Sequence, residues 1–469
     1  MRQMIYDQDS PKWLEHICQL VDQYFKQEAP VVQYEYAKDL VEKLDLELRK
    51  QGVDDSTLKK DLNDFLHYSV RTSHPNFHNQ LYGGFNLWAF FGEILTALTS
   101  TSMATFEIAP VATLMEQTLV NKMSALIGFR ANQNEVGEGI MLTGGSNANM
   151  VAMLAARNCA FPESKTQGAK SGLIAFCSKE AHYSFSKAAN ILGLGTDNLW
   201  QVESDDQGAM LASDLEKQIE KAKSLGLTPY FVGATAGTTV KGAFDPFEAI
   251  AKICQGHNLW FHVDGAWGGS VALSPTHRKL LKGAELADSF TWDAHKLMHI
   301  PLIASFILFK KAGTLKHSHG GGGDTYIFHE YDNKNWDTGP SSLQCGRRVD
   351  ALKVWLSWRA LGDDGYAKVI DQHFEIAAKV EQEIKLRPQF KLMFKRHFLN
   401  ICFQVNSPNG ESQKDFNITL RNKIIKQGKF LVNFSWQGDE PFFRLIVANP
   451  ASSVDDYLAL LDELIAISH

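Results

Sequence analysis

The sequence predicts an α/β protein, with a mainly parallel sheet covered by helices on both faces in a large domain and a smaller α+β C-terminal domain behind it. Three observations predict it. In the middle of the chain the short apolar runs LIAFC (173–177), YFVGAT (230–235), LWFHVD (259–264) and SFILF (305–309) alternate with helical stretches such as FEAIAKICQGHN (247–258). That alternation is the pattern of βαβ units, whose strands are buried on both faces. Across the first ~70 residues, apolar positions recur at helical spacing (Leu14, Ile17, Val21, Phe25; then Leu40, Leu44, Leu48), which predicts two or three amphipathic helices in need of a surface to lie on. From about residue 350 a long helical stretch leads into ICFQV, FFRLIVA and DDYLALLDELIAI, strand-like and helical runs in alternation. The expected divisions are an N-terminal helical segment (1–70), the large α/β domain (71–350) and the small domain (351–469).

A chain of 469 residues with 44% hydrophobic content is long enough for two domains and a sizeable core. Its formal charge of −6, with no basic block, argues against nucleic acid, whose binders neutralise phosphates with Lys and Arg. The N-terminus MRQMIYDQDSPKWLEH has charges and a Pro where a signal peptide needs an apolar run, and no later stretch approaches the ~20 apolar residues of a membrane span. A cytoplasmic protein with a small-molecule partner is expected. Six scattered cysteines (Cys18, Cys159, Cys177, Cys254, Cys345, Cys402) lack CxxC or Cys/His ligand spacing, so free, mostly buried thiols and no metal site are expected. Gly320 to Gly323, with His317 and His319, read as a flexible loop.

Chemistry gathers at the predicted strand ends. LWFHVDGAWGG finishes a strand with Asp264 and continues in small residues, and DSFTWDAHKLMHIP places His295 and Lys296 just after another strand. Open α/β sheets bind ligands at that edge. Either residue alone is more often a solvated turn residue. Together, a carboxylate and a lysine on neighbouring strand ends are what pyridoxal-phosphate chemistry requires, the one to keep a pyridine nitrogen protonated and the other to form an imine. TGGSNANMVAMLAARN (143–158) sets Thr143, Gly144, Gly145 and Ser146 before a helix whose free amides and dipole can hold a phosphate; alone it would be an ordinary helix cap. His182 falls at a strand-to-helix turn in SKEAHYSFSKAANILGLG, where an imidazole can stack on a pyridine ring.

The ordered set TGGSNAN, EAHYS, TAGTT, HVDGAWGG and DAHK resembles the group II pyridoxal-phosphate-dependent decarboxylases of the aspartate-aminotransferase (type I) fold. The resemblance runs from about residue 70 onward. It is nearest to the branch acting on acidic amino acids, through HNQLYGG, FEIAPVATLMEQ, GAFDPFEAIA, QCGRRVDALKVWL and PFFRLIVANP. It implies that Lys296 carries the cofactor as a Schiff base, that Asp264 partners the pyridinium, and that Ala266 and His182 lie on the two faces of the ring. Thr235 is implied to stand beside the cofactor, Gly145 and Ser146 to touch its phosphate, and His295 to join the cofactor site. Family members commonly have Asn-Pro-His-Lys at the lysine, with the Asn on the phosphate, where this chain has Asp293-Ala294-His295-Lys296. A carboxylate there would meet a dianion of like charge unless protonated or turned away.

The same resemblance implies a proton-donating tyrosine from the loop before QCGRR, for which Tyr331 is the nearest candidate, with a tyrosine merely packed under the loop as the rival reading. It also implies that Arg444 binds a substrate carboxylate through its planar fork and that Gln80 adds hydrogen bonds. Tyr82 is bulkier than the residue expected in glutamate decarboxylases, which points toward a shorter acid. Expected substrates are aspartate, cysteine sulfinate or glutamate, and the expected assembly is a homodimer with its site at the subunit interface. An aminotransferase or other lyase on the same fold is the alternative, and a catalytically silent binding or regulatory subunit the second. The His295-Lys296 pair and the acid-branch run from Gln80 to Gln117 speak against the first. Intact Lys296, Asp264 and His182 speak against the second.

Overall fold

The computed structural model describes residues 6–130, 137–320, 327–328, 330–408 and 412–468. The chain begins with three helices, α1 (Ser10–Lys26), α2 (Ala37–Lys43) and α3 (Asp55–Tyr68). Pro11 sits in the first turn of α1, where its missing N–H costs nothing, and Asp54 caps α3 by accepting from the Thr57 amide at 2.8 Å. Their apolar stripe is largely uncovered. Among the described residues of these helices only Leu20 is buried, whereas Leu14, Ile17, Phe25 and Phe65 are 57, 42, 47 and 68% exposed. After β1 (Phe77–His78) come α4 (Leu87–Thr99) and α5 (Pro110–Ile127).

Among the described residues seven strands form the large sheet: β2 (Glu138–Leu142), β3 (Leu173–Ser178), β4 (Leu199–Val202), β5 (Thr228–Thr235), β6 (Trp260–Asp264), β7 (Ser289–Asp293) and β8 (Ser305–Phe309). Their order is β2-β8-β7-β6-β5-β3-β4. From β4 to β7 all neighbours are parallel. The run SFILF, β8, is antiparallel to both its neighbours, because the 294–304 connection carries no crossover helix to return the chain to a parallel start. Alternate residues of the strands feed two cores. Leu173, Ala175, Cys177 and Phe231 pack with α6 (Gly145–Ala160) and the helix Ser184–Ile191; Ile174, Phe176, Val232 and Phe261 pack with the helices Ala212–Ser224 and Phe247–His257.

Beyond the helix Ala351–Leu386, interrupted at Gly362 (φ 66°), follow β9 (Phe390–Leu392), β10 (Asn400–Val405), β11 (Leu431–Gln437) and β12 (Glu440–Ile446). They form a second sheet of order β1-β11-β12-β10-β9. Its outer strand β1 lies parallel to β11, Phe77 opposite Leu431, so the stretch just past residue 70 edges the C-terminal sheet. His317 and His319 sit on the helix Thr314–His319 rather than in a loop, while Gly321 to Gly323 lie outside the described residues. All six cysteines are free; Cys177, Cys254 and Cys402 are buried, Cys159 is half-buried, and Cys18 and Cys345 are exposed. Among the described residues no helix is long and apolar enough to cross a membrane.

One buried ion pair ties these parts together. Arg347 donates from Nη1 and Nη2 to Glu116 Oε1 and Oε2 at 2.6 and 2.9 Å, with both side chains 4% exposed. Glu116 also accepts from the Met141 amide at 2.8 Å, joining α5 to β2. Removing one partner strands the other charge in the interior. Glu116→Ala is therefore expected to lower stability by about 3 kcal/mol or more, read as an early shift of the chemical denaturation midpoint; an unshifted midpoint would show that Arg347 finds another partner or water.

Candidate active site

The edge of the large sheet is set by register. Thr235, the last residue of β5, lies opposite Asp264, the last of β6, and Asp264 lies opposite Thr291 on β7. Asp293 and Lys296 follow within five residues of Thr291. The carboxyl ends of three adjacent parallel strands thus converge, as ligand sites in such sheets require. Gly265 allows β6 to stop there, since a Cβ at that position would overlap the Phe290 ring.

Asp264, 4% exposed, is held through both oxygens: Oδ1 accepts from the Ala266 amide at 3.0 Å and Oδ2 from Asn149 Nδ2 at 2.7 Å. His182 is half-buried in the turn after β3, its Nδ1 accepting from the Ser184 amide at 3.3 Å. Burial pushes its pKa below the ordinary imidazole value, and Lys296 adds to this against the pull of Asp264. A neutral ring able to stack is the result. Thr235 is buried, and its hydroxyl has no hydrogen-bond partner among the described residues. Its backbone is clamped by Asp245 Oδ2, which accepts from the Thr235 amide at 2.7 Å.

At α6 the first-turn amides of Gly145 and Ser146 have no acceptor within the helix. A Cβ on Gly145 would come within 2.7 Å of Asp293 Oδ2 and 3.2 Å of Ala266 Cβ, so this glycine keeps open a cradle bordered by Asp293 and Ala266. Lys296 Nζ stands 3.1 Å from Asp293 Oδ2, and His295 Nε2 is 3.6 Å from the same atom. Burial alone would push the Asp293 carboxyl up, but Lys296 and His295 beside it hold it below the usual carboxylate range. Its Oδ2 faces the Gly145 position, so the side chain is directed at the α6 cradle. His295 is fixed through Nδ1, 3.1 Å from the Ala304 carbonyl.

These residues fit pyridoxal phosphate: a lysine, an acid for the pyridine nitrogen, an imidazole and a methyl group to flank a ring, an unpartnered hydroxyl and a helix start for the phosphate. Asp293 is the one group whose charge opposes it. The substrate side is built by a different part of the chain. Arg444 on β12 is 6% exposed and donates from Nη1 to the Thr239 carbonyl at 2.9 Å and from Nη2 to the Asn79 carbonyl at 3.1 Å, while Nε has no partner among the described residues. Among the described residues no carboxylate lies within 4.0 Å of it. The 79–84 segment connects the two halves, because Gly83 lends its carbonyl to His299 Nδ1 at 3.3 Å, three residues past Lys296. Gln80 on this segment is exposed, donating to Asn79 Oδ1 at 2.5 Å. Tyr82 lines a cavity of 810 Å³ between α1, α3 and the 295–302 segment, which reaches His295.

The Tyr331 hydroxyl donates to Asp337 Oδ1 at 2.5 Å, which also accepts from the Phe106 amide at 2.8 Å. Burial and that carboxylate push the phenol up to about 12, so it carries its proton at neutral pH. Asn149, His262 and Asp245 were not singled out in the sequence. Asn149 follows Gly145 by one helical turn, and His262 precedes Asp264 by two strand positions, so each shares a face with a residue that was.

The family model described as pyridoxal-dependent decarboxylase conserved domain matches residues 37–406. The chain is 41% identical over 449 residues to cysteine sulfinic acid decarboxylase of Mus musculus, covering 92% of this chain and 90% of that protein. It is 37% identical over 473 residues to the acidic amino acid decarboxylase GADL1 of the same species, covering 97% and 85%. The crystal structure of mouse CSAD superposes with a TM-score of 0.94 at 39% identity, over 99% of this chain and 100% of that one.

Asp293 gives a direct test of where a phosphate would lie. Asp293→Asn removes a negative charge beside the α6 cradle, and titration of the apoprotein with pyridoxal phosphate is expected to show binding about tenfold tighter. Unchanged binding would mean that the phosphate lies away from this side chain.

Proposed function

The chain belongs to the pyridoxal-dependent decarboxylase family, and from that membership we propose that it releases carbon dioxide from a small acidic amino acid held between Lys296 and Arg444. It is a carboxy-lyase with pyridoxal phosphate as its cofactor. Arg444 carries the substrate assignment. A buried guanidinium whose contacts are two backbone carbonyls, with one N–H unmatched, is costly until an anion meets it, and a substrate carboxylate is that anion. A structural ion pair, the rival reading, would need an acid beside it. The bulk of Tyr82, which lines the cavity reaching His295, favours aspartate or cysteine sulfinate over the longer glutamate.

In this reading Lys296 Nζ would hold the cofactor covalently, Asp264 would accept from its pyridine nitrogen, and His182 and Ala266 would confine the ring. Gly145 and Ser146 offer amides to the phosphate, the Thr235 hydroxyl is free to donate nearby, and His295 braces the lysine segment. When bound, the cofactor supplies the electron sink for the pair left behind as carbon dioxide departs. Arg444 and Gln80 orient the substrate so that the bond to its α-carboxylate is the one that breaks. Tyr331 holds a proton that it can deliver to the substrate carbon only by exchanging its bond to Asp337.

A homodimer accompanies this proposal. On α4, Trp88, Phe91, Leu95 and Leu98 are 45, 41, 44 and 77% exposed, and on α5 Val111 and Leu114 are 62 and 43% exposed, an apolar face that a second copy would cover. Free thiols at the exposed Cys18 and Cys345 suit the cytoplasm.

Side-by-side assays of carbon dioxide and amine with aspartate, cysteine sulfinate, glutamate and an aromatic amino acid test the proposal. Turnover of the two shorter acids above glutamate, with none of the aromatic, is expected; a keto acid in place of the amine would favour the aminotransferase. Arg444→Met is expected to raise KM for the acids about tenfold or more at nearly unchanged cofactor affinity. A collapse of thermal stability with KM unmoved would make the arginine structural.

A further inference from the structure

Behind Asp264 runs a hydrogen-bonded chain that the proposed reaction does not use. Asn149 Nδ2 donates to Asp264 Oδ2 at 2.7 Å and to Ser184 Oγ at 2.9 Å. On the other side of the amide, Oδ1 lies 3.1 Å from His262 Nε2 and accepts from the Thr291 hydroxyl at 2.9 Å. His262 Nδ1 is 2.8 Å from Ser289 Oγ, which accepts from the Trp260 indole N–H at 2.9 Å. Asn149, His262, Ser289 and Thr291 are all fully buried. The strand period explains the assembly. His262 lies opposite Ser289 and Asp264 opposite Thr291, so all four side chains face the same side of the sheet, under α6.

The two ends of the chain fix every bond between them. An ionised carboxylate only accepts, so the amide turns Nδ2 toward Asp264 and Oδ1 toward His262. His262 must then donate from Nε2 and accept at Nδ1. Burial pushes its pKa down to about 3, which leaves one ring proton for that single tautomer. Ser289 donates to His262 and receives from Trp260, whose indole can only donate. Four hydrogen bonds thus point the same way, and each polarises the next toward Asp264.

We propose that Trp260, Ser289, His262 and Asn149 are positioning residues that lock the Asp264 carboxylate in place and stabilise its negative charge, so that it stays aimed at the protonated pyridine nitrogen of the cofactor. The proposal rests on the reading of Asp264 as the pyridinium partner. His262 affords a clean test, because its ring packs between Phe231, stacked at 5.8 Å, and Phe185, edge-on at 6.0 Å. His262→Phe keeps that packing and removes the relay, while Thr291 still holds the Asn149 amide.

The measurement uses full-length protein loaded with pyridoxal phosphate isotopically labelled at the pyridine nitrogen, and reads both the nitrogen resonance and the cofactor dissociation constant. His262→Phe is expected to weaken cofactor binding about tenfold and to move the resonance toward the unprotonated ring. Ser289→Ala, a one-atom deletion that tests the relay should the histidine variant fail to fold, is expected to move both in the same direction by less. His262→Gln, which retains an N–H donor, is expected to recover part of the loss. Wild-type resonance and affinity in Ser289→Ala and His262→Phe, with both lost in Asp264→Asn, would overturn the relay alone. Wild-type behaviour in Asp264→Asn as well would overturn the pyridinium role of Asp264 and the relay with it.

Discussion

The register among β5, β6 and β7 is the constraint on which the site depends. Parallel pairing places Thr235, Asp264 and Thr291 side by side, and the segments that follow these strands carry Asp245, Ala266 and Lys296. A one-residue slip in β6 would turn Asp264 to the opposite face of the sheet and take His262 with it. The strands hold register because both faces are buried: alternate side chains enter two separate cores, each closed by its own helices. Site geometry is thereby coupled to the packing of the whole large sheet.

Charge is distributed around that edge in a way that leaves little room for substitution. Asp264 is held by two donors, Asp293 by Lys296 and His295, and Arg444 by two carbonyls. The first keeps acceptor capacity for a further donor, and the second and third sit where anions are proposed to bind. Loop 236–243 links these groups across the two sheets. Asn400 donates to the Thr239 and Val240 carbonyls at 3.0 and 2.9 Å and accepts from Trp267 at 2.8 Å, and Arg444 shares the Thr239 carbonyl. The C-terminal sheet is thus docked onto the loop that begins beside Thr235.

Lys296, Asp264 and the start of α6 were legible in the sequence because each follows from a local pattern, an apolar run ending in a polar residue or a glycine pair before a helix. What was not legible is longer in range. The pairing of Phe77 with Leu431 has no local signal, and a two-residue strand leaves no periodicity to read. The antiparallel return of β8 depended on the length of a connection rather than on the strand itself. Asn149 and His262 look like ordinary helix and strand residues until α6 is laid on β6. For Tyr331 the sequence offered a loop and a phenol, but not the carboxylate of Asp337 that engages it.

Lys296 is proposed to hold the cofactor at this strand edge. Reduction of the loaded protein with borohydride, followed by peptide mass spectrometry, tests it most directly, since reduction fixes the cofactor on the lysine that bears it. A single pyridoxyl adduct is expected, on Lys296 in the peptide that follows β7. An adduct on any other lysine, or none in protein that retains the cofactor's absorbance, would contradict it.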